Sequence, residues 1–331
     1  MNKIIPEKLK IGDEIRVIAP SRSFNLLSDE TVEIATNRLE ELGFKVTFGK
    51  NIKNEIDENY CCASISDRVE DLHAAFKDKN VKAILTVIGG YNVNQLLDYI
   101  DYDLIKNNPK IICGFSDITA LLTAITAKTG LVTYYGPNYS NFGMKKGFDY
   151  TLEYFKKLFM SNEDFIITDS ENFSDEAWYK NQEDRHFIQN EGRITINEGD
   201  MEGVIIGGNL CTLNLLQGTS YMPNLDNTVL LIEDDEMAGD EFLREFDRNL
   251  QSLLHCYKNN KLNGIIIGRA QLSNHMTVDK WRSLIKTKKE LENVPVIINA
   301  DFGHTTPIFT FPIGGDIVVK DNKIKIKNTD C

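Results

Sequence analysis

Ser116, Glu233 and His304 are the residues of this chain whose types and settings could together make a nucleophile. The apolar run Ile111-Ile112-Cys113-Gly114-Phe115 stops at Ser116, and Asp117, Thr119, Leu121, Leu122 and Ile125 follow at helical spacing. A serine on such a strand-to-helix turn is held out to solvent. The backbone N–H groups behind it sit at the positive end of a helix, where an oxyanion is stabilised. The match to a nucleophile elbow is partial, because that pattern has glycine two residues after the serine and this chain has Ile118. The competing reading is a serine that caps a helix.

A nucleophilic serine needs a base, and the chain has five histidines. His73 and His255 fall in amphipathic helical patterns, His186 in a polar connecting stretch and His275 in a polar loop, so a surface role is expected for all four. His304 follows the apolar run 294–300 and a glycine, which places it at the mouth of a strand where side chains project into a cleft. Glu233 follows Val229-Leu230-Leu231-Ile232 and opens an acidic run. A solvated turn accounts for Asp234 and Asp235. The carboxylate at the buried end of the run is the one placed to hold an imidazole and fix its tautomer. The order Ser116, Glu233, His304 is a known triad order for strand-end serines.

Gly89-Gly90 closes the neighbouring apolar run 83–88. Two glycines let a backbone approach a ligand and aim N–H groups at it. The functional reading is half an oxyanion hole at Gly90, shared with the N–H of Asp117. A phosphate loop is the rival, although neither G-x-G-x-x-G nor Gly-Lys-Ser/Thr is present. A plain tight turn is the third reading. Arg269, at the end of the apolar run 264–268, is expected either to clamp a substrate carboxylate or phosphate or to form a structural salt bridge.

The elements that must position these residues are legible as periodicity. Apolar runs at 14–19, 44–48, 83–88, 111–115 and 131–135 alternate with helical patterns at 32–42, 69–76, 93–100 and after Ser116. Repeated βα units predict a doubly wound, mostly parallel sheet of the flavodoxin or Rossmann type, with ligands beyond the carboxyl ends of its strands. Ser21, Gly89-Gly90 and Ser116 all fall at that edge. Between about 160 and 200 the pattern dissolves into a polar stretch with Trp178, Tyr179 and Phe187, read as a connecting loop. Strand patterns return at 204–206, 229–232, 264–268, 294–300 and 310–313, and a hairpin at 316–326 turns at Asp321-Asn322. The expected division is an N-terminal α/β domain over 1–160 carrying the nucleophile, a connecting loop over 161–200 and a smaller β-rich domain over 201–331 carrying Glu233 and His304.

Composition narrows the partners. The length of 331 residues predicts two domains, and a net charge of −12 argues against a nucleic-acid polymer. No apolar run reaches the length of a membrane span and the N-terminus has no hydrophobic signal core, so a cytoplasmic protein is expected. The six cysteines, Cys61, Cys62, Cys113, Cys211, Cys256 and Cys331, form no C-x-x-C pair, so neither a zinc site nor a redox dithiol is expected.

Ile18-Ala19-Pro20-Ser21, Gly89-Gly90, Gly114-Phe115-Ser116-Asp117, Gly207-Gly208-Asn209, Leu231-Ile232-Glu233-Asp234 and Gly303-His304 stand in one order along the chain. Together they resemble the LD-carboxypeptidase family of serine peptidases, which includes the microcin C self-immunity peptidases, over nearly the whole chain. The resemblance implies Ser116 as nucleophile, His304 as general base, Glu233 as its orienter, and an oxyanion hole from Gly90 and Asp117. It also implies an active site between two domains, no metal or cofactor, and a homodimer. One branch of the family removes a terminal D-amino acid from cell-wall peptides. The other cleaves an amide-type bond in peptidyl or aminoacyl nucleotides, and the chain is more similar to this second branch. On that reading Trp178 is matched to a base-stacking tryptophan, while Gly89, Asn209 and Arg269 join it as expected substrate-binding residues. Turnover separates this reading from a non-catalytic small-molecule binding protein.

Overall fold

The computed structural model describes residues 2–54, 56–257 and 261–328. Five strands open the chain: β1 (Glu14–Ile18), β2 (Lys45–Phe48), β3 (Val81–Thr86), β4 (Ile111–Gly114) and β5 (Thr133–Tyr135). They are parallel, in the order β5-β4-β3-β1-β2. The helices α1 (Asp29–Glu41), α2 (Ile65–Lys77), α3 (Tyr102–Asn107), α4 (Ile118–Thr129) and α5 (Asp149–Phe159) cover this sheet. Ile15, Val17, Ile84, Leu85, Ile112 and Cys113 are fully buried, as strands covered on both faces require. The segment after Gly89-Gly90, expected as a helix over 93–100, is a 3-10 helix over Val93–Tyr99.

The stretch 161–200 is not a bare loop. It holds β6 (Phe165–Ile167), β7 (Asn172–Phe173), β8 (Ile188–Gln189) and β9 (Ile194–Asn197). They are two to four residues long, and β6 and β9 are the two edge strands of the second sheet. Short edge strands bury few side chains, so the alternation that would reveal them in sequence is weak.

The second sheet continues with β10 (Met201–Asn209), β11 (Thr228–Glu233), β12 (Leu262–Gly268) and β13 (Val296–Ala300), which are parallel. The helices α6 (Leu210–Asn214), α7 (Phe242–His255) and α8 (Val278–Lys286) accompany them. β14 (Phe311–Ile313) leaves this region and pairs antiparallel with β5, completing the first sheet as a sixth strand. β15 (Asp316–Lys320) and β16 (Lys323–Lys327) form the expected hairpin, and both turn residues, Asp321 and Asn322, have positive φ. The described residues thus form a mixed α/β molecule with two large sheets, of six and eight strands, and a two-stranded sheet of β7 and β8, and β14 of the C-terminal half joins the first large sheet at its edge. No helix among the described residues is long and apolar enough to cross a membrane.

Candidate active site

The carboxyl ends of β4, β5 and β11 face one crevice, and the loop after β13 reaches into it. Ser116 leaves β4 with φ of 64°, a left-handed conformation that non-glycine residues rarely adopt. Such strain, of order 1–3 kcal/mol, persists only where surrounding bonds impose it. Here the Ser116 carbonyl accepts from the Thr119 N–H (2.9 Å) and hydroxyl (2.7 Å), and Thr119 Oγ1 accepts from the Asn209 N–H (3.0 Å). The first turn of α4 is therefore tied to the end of β10 in the other sheet.

Three side chains meet across the crevice. His304 Nε2 lies 3.0 Å from Ser116 Oγ, and His304 Nδ1 lies 2.6 Å from Glu233 Oε2. Glu233 ends β11 and is buried, and the His304 ring packs against Phe115 with centroids 5.4 Å apart. Burial disfavours a charged imidazole, yet the Glu233 charge and hydrogen bond, with Asp235 and Asp234 behind them, outweigh it and push His304 up to about 9. Burial, with Glu233 and Asp235 beside it, pushes Asp234 up to about 7.

Tyr135, at the end of β5, was not singled out in the sequence. Its hydroxyl donates to the free Glu233 oxygen, Oε1, at 2.6 Å and accepts from the Ser116 N–H at 3.3 Å. Burial first, then the neighbouring Glu233 charge, keep this phenol far above its usual range, so it remains a donor. The Ser116 N–H is spent on Tyr135, which leaves later amides for an oxyanion. Neither the Gly90 nor the Asp117 amide is taken by a turn or loop hydrogen bond among the described residues. The signal in sequence was a tyrosine at the closing end of a buried strand, since a buried phenol needs a partner.

The glycine turn is pinned against Ser116. A methyl group at Gly89 would lie 2.9 Å from Ser116 Cβ, so only glycine fits there without displacement. The buried Asp117 carboxylate accepts from the Ser21 hydroxyl (2.5 Å) and the Asn92 and Val93 N–H groups (both 3.0 Å), which holds the turn at that distance. A cavity of about 310 Å³ opens beside Ser116 and His304, and Gly89, Gly90, Trp178, Asp235 and Met144 line it.

Two expected substrate residues are employed elsewhere. Asn209 is buried and caps α6, accepting from the Thr212 N–H at 3.1 Å, while its amide donates to Asp234 at 3.1 Å. Arg269 is buried too. It pairs with Asp301 at 3.1 Å and donates to Asn190 (2.6 Å) and the Asn299 carbonyl (3.1 Å), with its guanidinium over the Phe173 ring. Of its two expected roles the salt bridge is the one formed, because a buried guanidinium must be neutralised where it lies. It anchors the start of the loop that delivers His304. Of the cysteines, Cys61, Cys62, Cys113, Cys211 and Cys256 are free, and Cys331 lies outside the described residues.

The LD-carboxypeptidase N-terminal domain model matches residues 15–136 and the C-terminal domain model residues 202–319. The chain is 53% identical to "Putative carboxypeptidase YocD" of Bacillus subtilis, over 93% of each chain. It is 31% identical to the microcin C7 self-immunity protein MccF of Escherichia coli, over 97% of this chain and 94% of that protein. A "Probable murein peptide carboxypeptidase" of Bacillus subtilis is 32% identical, over 93% and 89%. Among solved structures, an MccF-like protein of Bacillus anthracis superposes with a TM-score of 0.95 at 52% identity, covering 98% of this chain and 99% of that one. MccF in complex with aspartyl sulfamoyl adenosine superposes with a TM-score of 0.87 at 30% identity, covering 99% of each. With both domain models matched in order and relatives aligned nearly end to end, the chain belongs to the LD-carboxypeptidase family and is a serine-type carboxypeptidase.

Proposed function

We propose that Ser116, His304 and Glu233 act as a catalytic triad that cleaves an amide-type bond in a peptidyl or aminoacyl nucleotide. His304 Nε2 takes the Ser116 proton as Oγ attacks the carbonyl, and Glu233 holds Nδ1–H and offsets the imidazolium charge. The Gly90 and Asp117 amides receive the oxyanion. His304 then gives its proton to the leaving nitrogen, and water releases the acyl-enzyme with the same histidine as base. The observation that carries the reading is the single imidazole in reach of both an alcohol at 3.0 Å and a buried carboxylate at 2.6 Å.

The nucleotide portion of the substrate rests on Trp178. Its indole is half-buried, lines the cavity and stands edge-on to Tyr179, leaving a face on which a base can stack. The complex of MccF with aspartyl sulfamoyl adenosine supports the same substrate class here. A cytoplasmic homodimer accompanies this reading.

Ser116→Ala is expected to lower hydrolysis by on the order of a thousandfold or more and to abolish fluorophosphonate labelling, with the circular dichroism spectrum unchanged. Undiminished turnover in that variant would overturn the triad. For the substrate, kcat/KM is compared on an aminoacyl sulfamoyl adenosine and on an L,D-tetrapeptide. Preference for the tetrapeptide would replace the nucleotide reading with the cell-wall one.

A further inference from the structure

The charges that line the cavity are unequal. Asp175, Glu176, Asp235 and Glu236 supply carboxylates, and Arg22 is the one arginine or lysine. Each of the four acids accepts from a neutral donor or from His186, and none of them forms an ion pair with a lysine or arginine among the described residues, although the Arg185 charge acts on Glu176 from farther off. Arg22 in turn has no carboxylate partner among the described residues. Its Nε donates to the Gly89 carbonyl at 3.1 Å and its guanidinium lies 5.9 Å from the centroid of the Tyr91 ring. The stem is thereby fixed, and the two terminal nitrogens remain for a ligand. An unpaired guanidinium with one nitrogen already held is prepared for a planar two-oxygen anion.

The glycine turn links Arg22 to Ser116. Gly89 packs on Ser116, with a methyl there 2.9 Å from Ser116 Cβ. Gly90 packs on Arg22, with a methyl there 2.8 Å from Arg22 Cγ. Arg22 and Ser116 thus pack on successive residues of one turn, and both line the same cavity. In a carboxypeptidase substrate one residue separates the carbonyl under attack from the terminal carboxylate, so an anion site beside the nucleophile is what such a substrate requires.

We propose that Arg22 anchors the leaving group by its anion, binding the negatively charged oxygens that follow the scissile nitrogen. In a peptide these are the terminal carboxylate; in an acyl sulfamate or acyl phosphoramidate they are the sulfonyl or phosphoryl oxygens. Both present paired oxygens a few bonds beyond the same nitrogen, so one guanidinium serves either. The carboxylates of Asp175, Glu176, Asp235 and Glu236 disfavour an anion placed beside them, which makes Arg22 a specificity-determining residue. It also limits cleavage to the last residue, since a longer peptide has no charge at that position. This inference rests on the triad proposed above.

The test compares three substrates that share one acyl group: a free-acid peptide, an acyl sulfamoyl adenosine and a 4-nitrophenyl ester with an uncharged leaving group. In Arg22→Met the ratio of kcat/KM for anionic over neutral substrate is expected to fall about 100-fold. Arg22→Lys, which keeps the charge without the planar fork, is expected to retain an intermediate ratio. A fall for the peptide alone assigns the site to the carboxylate, and a fall for the sulfamate alone assigns it to the sulfonyl group. An unchanged ratio for both anionic substrates overturns the proposal. Failure of the triad itself reads differently: the native protein would neither cleave any of the three nor be labelled at Ser116.

Discussion

An imidazole pushed up to about 9 is mostly protonated at neutral pH, and a protonated imidazole cannot take the proton of Ser116. The free enzyme is therefore expected to show kcat/KM rising with pH, with the acid limb half-complete near 9. Asp235→Asn removes one of the charges that raise His304, so the limb should move to lower pH; a limb that stays put would show that this carboxylate does not act on the base. The stability linkage has the matching sign. The folded His304 value exceeds the unfolded value near 6.5, so the native state binds more protons, and the contribution is complete below pH 6.5 and lost as pH rises through 9. Urea unfolding of the native protein and His304→Gln at pH 6 and pH 10 should show their difference shrinking at the higher pH. Tyr135→Phe leaves Glu233 Oε1 buried without its donor, a loss of about 1–3 kcal/mol. It also removes a hydrogen bond that stabilises the carboxylate charge. The expected signature is a lower kcat together with an acid limb displaced to higher pH, because a less stabilised Glu233 holds the imidazolium more strongly. A stability loss with an unchanged pH profile would reduce Tyr135 to packing.

At the scale of elements, the site depends on how closely backbones approach. Gly303 has φ of 106°, and a methyl group there would lie 2.6 Å from Glu233 Oε2, the oxygen that holds His304. Gly303→Ala should therefore displace either the carboxylate or the loop and lower kcat by on the order of 100-fold, while the buried strands keep the protein folded. Normal turnover in that variant would mean that the loop after β13 yields freely. The same approach explains what could be read beforehand. β1, β3, β4 and β11 are buried on both faces and stand out as apolar runs, and Ser116, Glu233 and His304 are legible because each stands where such a run ends. β6 to β9 are not legible, because short edge strands bury too little to impose alternation. Tyr135 and Arg22 escaped for another reason. Their roles come from partners 98 and 67 positions away, Glu233 and Gly89, and no local period encodes a partner. For Asn209 and Arg269 a strand end states position but not direction: Asn209 caps α6, Arg269 pairs with Asp301, and neither lines the cavity.

The whole molecule is joined more tightly than a division at 160 and 200 implies. β14 belongs by sequence to the C-terminal half, yet it closes the first sheet against β5, and Phe311 stacks on Tyr135 with centroids 5.0 Å apart. β6, from the connecting stretch, pairs with β16 at the edge of the second sheet. Thr119 ties α4 to β10, and Tyr135 ties β5 to β11. A chain cut near 160 would leave β5 with an unpaired edge and an exposed aromatic face, a surface that promotes aggregation. The two halves are thus expected to unfold together. Thermal unfolding followed by fluorescence of Trp178, in the connecting stretch, and of Trp281, on α8, each in a single-tryptophan variant, should give coincident midpoints. Two midpoints separated by more than a few degrees would show that the exchanged strands do not couple the halves. The coupling matters for the proposed triad because Ser116 belongs to one sheet and Glu233 and the loop carrying His304 to the other. An opening of the crevice by about 1 Å would lengthen the bond between Ser116 and His304 beyond useful reach. By placing β14 of the C-terminal half in the first sheet and bonding Thr119 and Tyr135 across to the second, the fold holds that separation through its sheets and not through the loops alone.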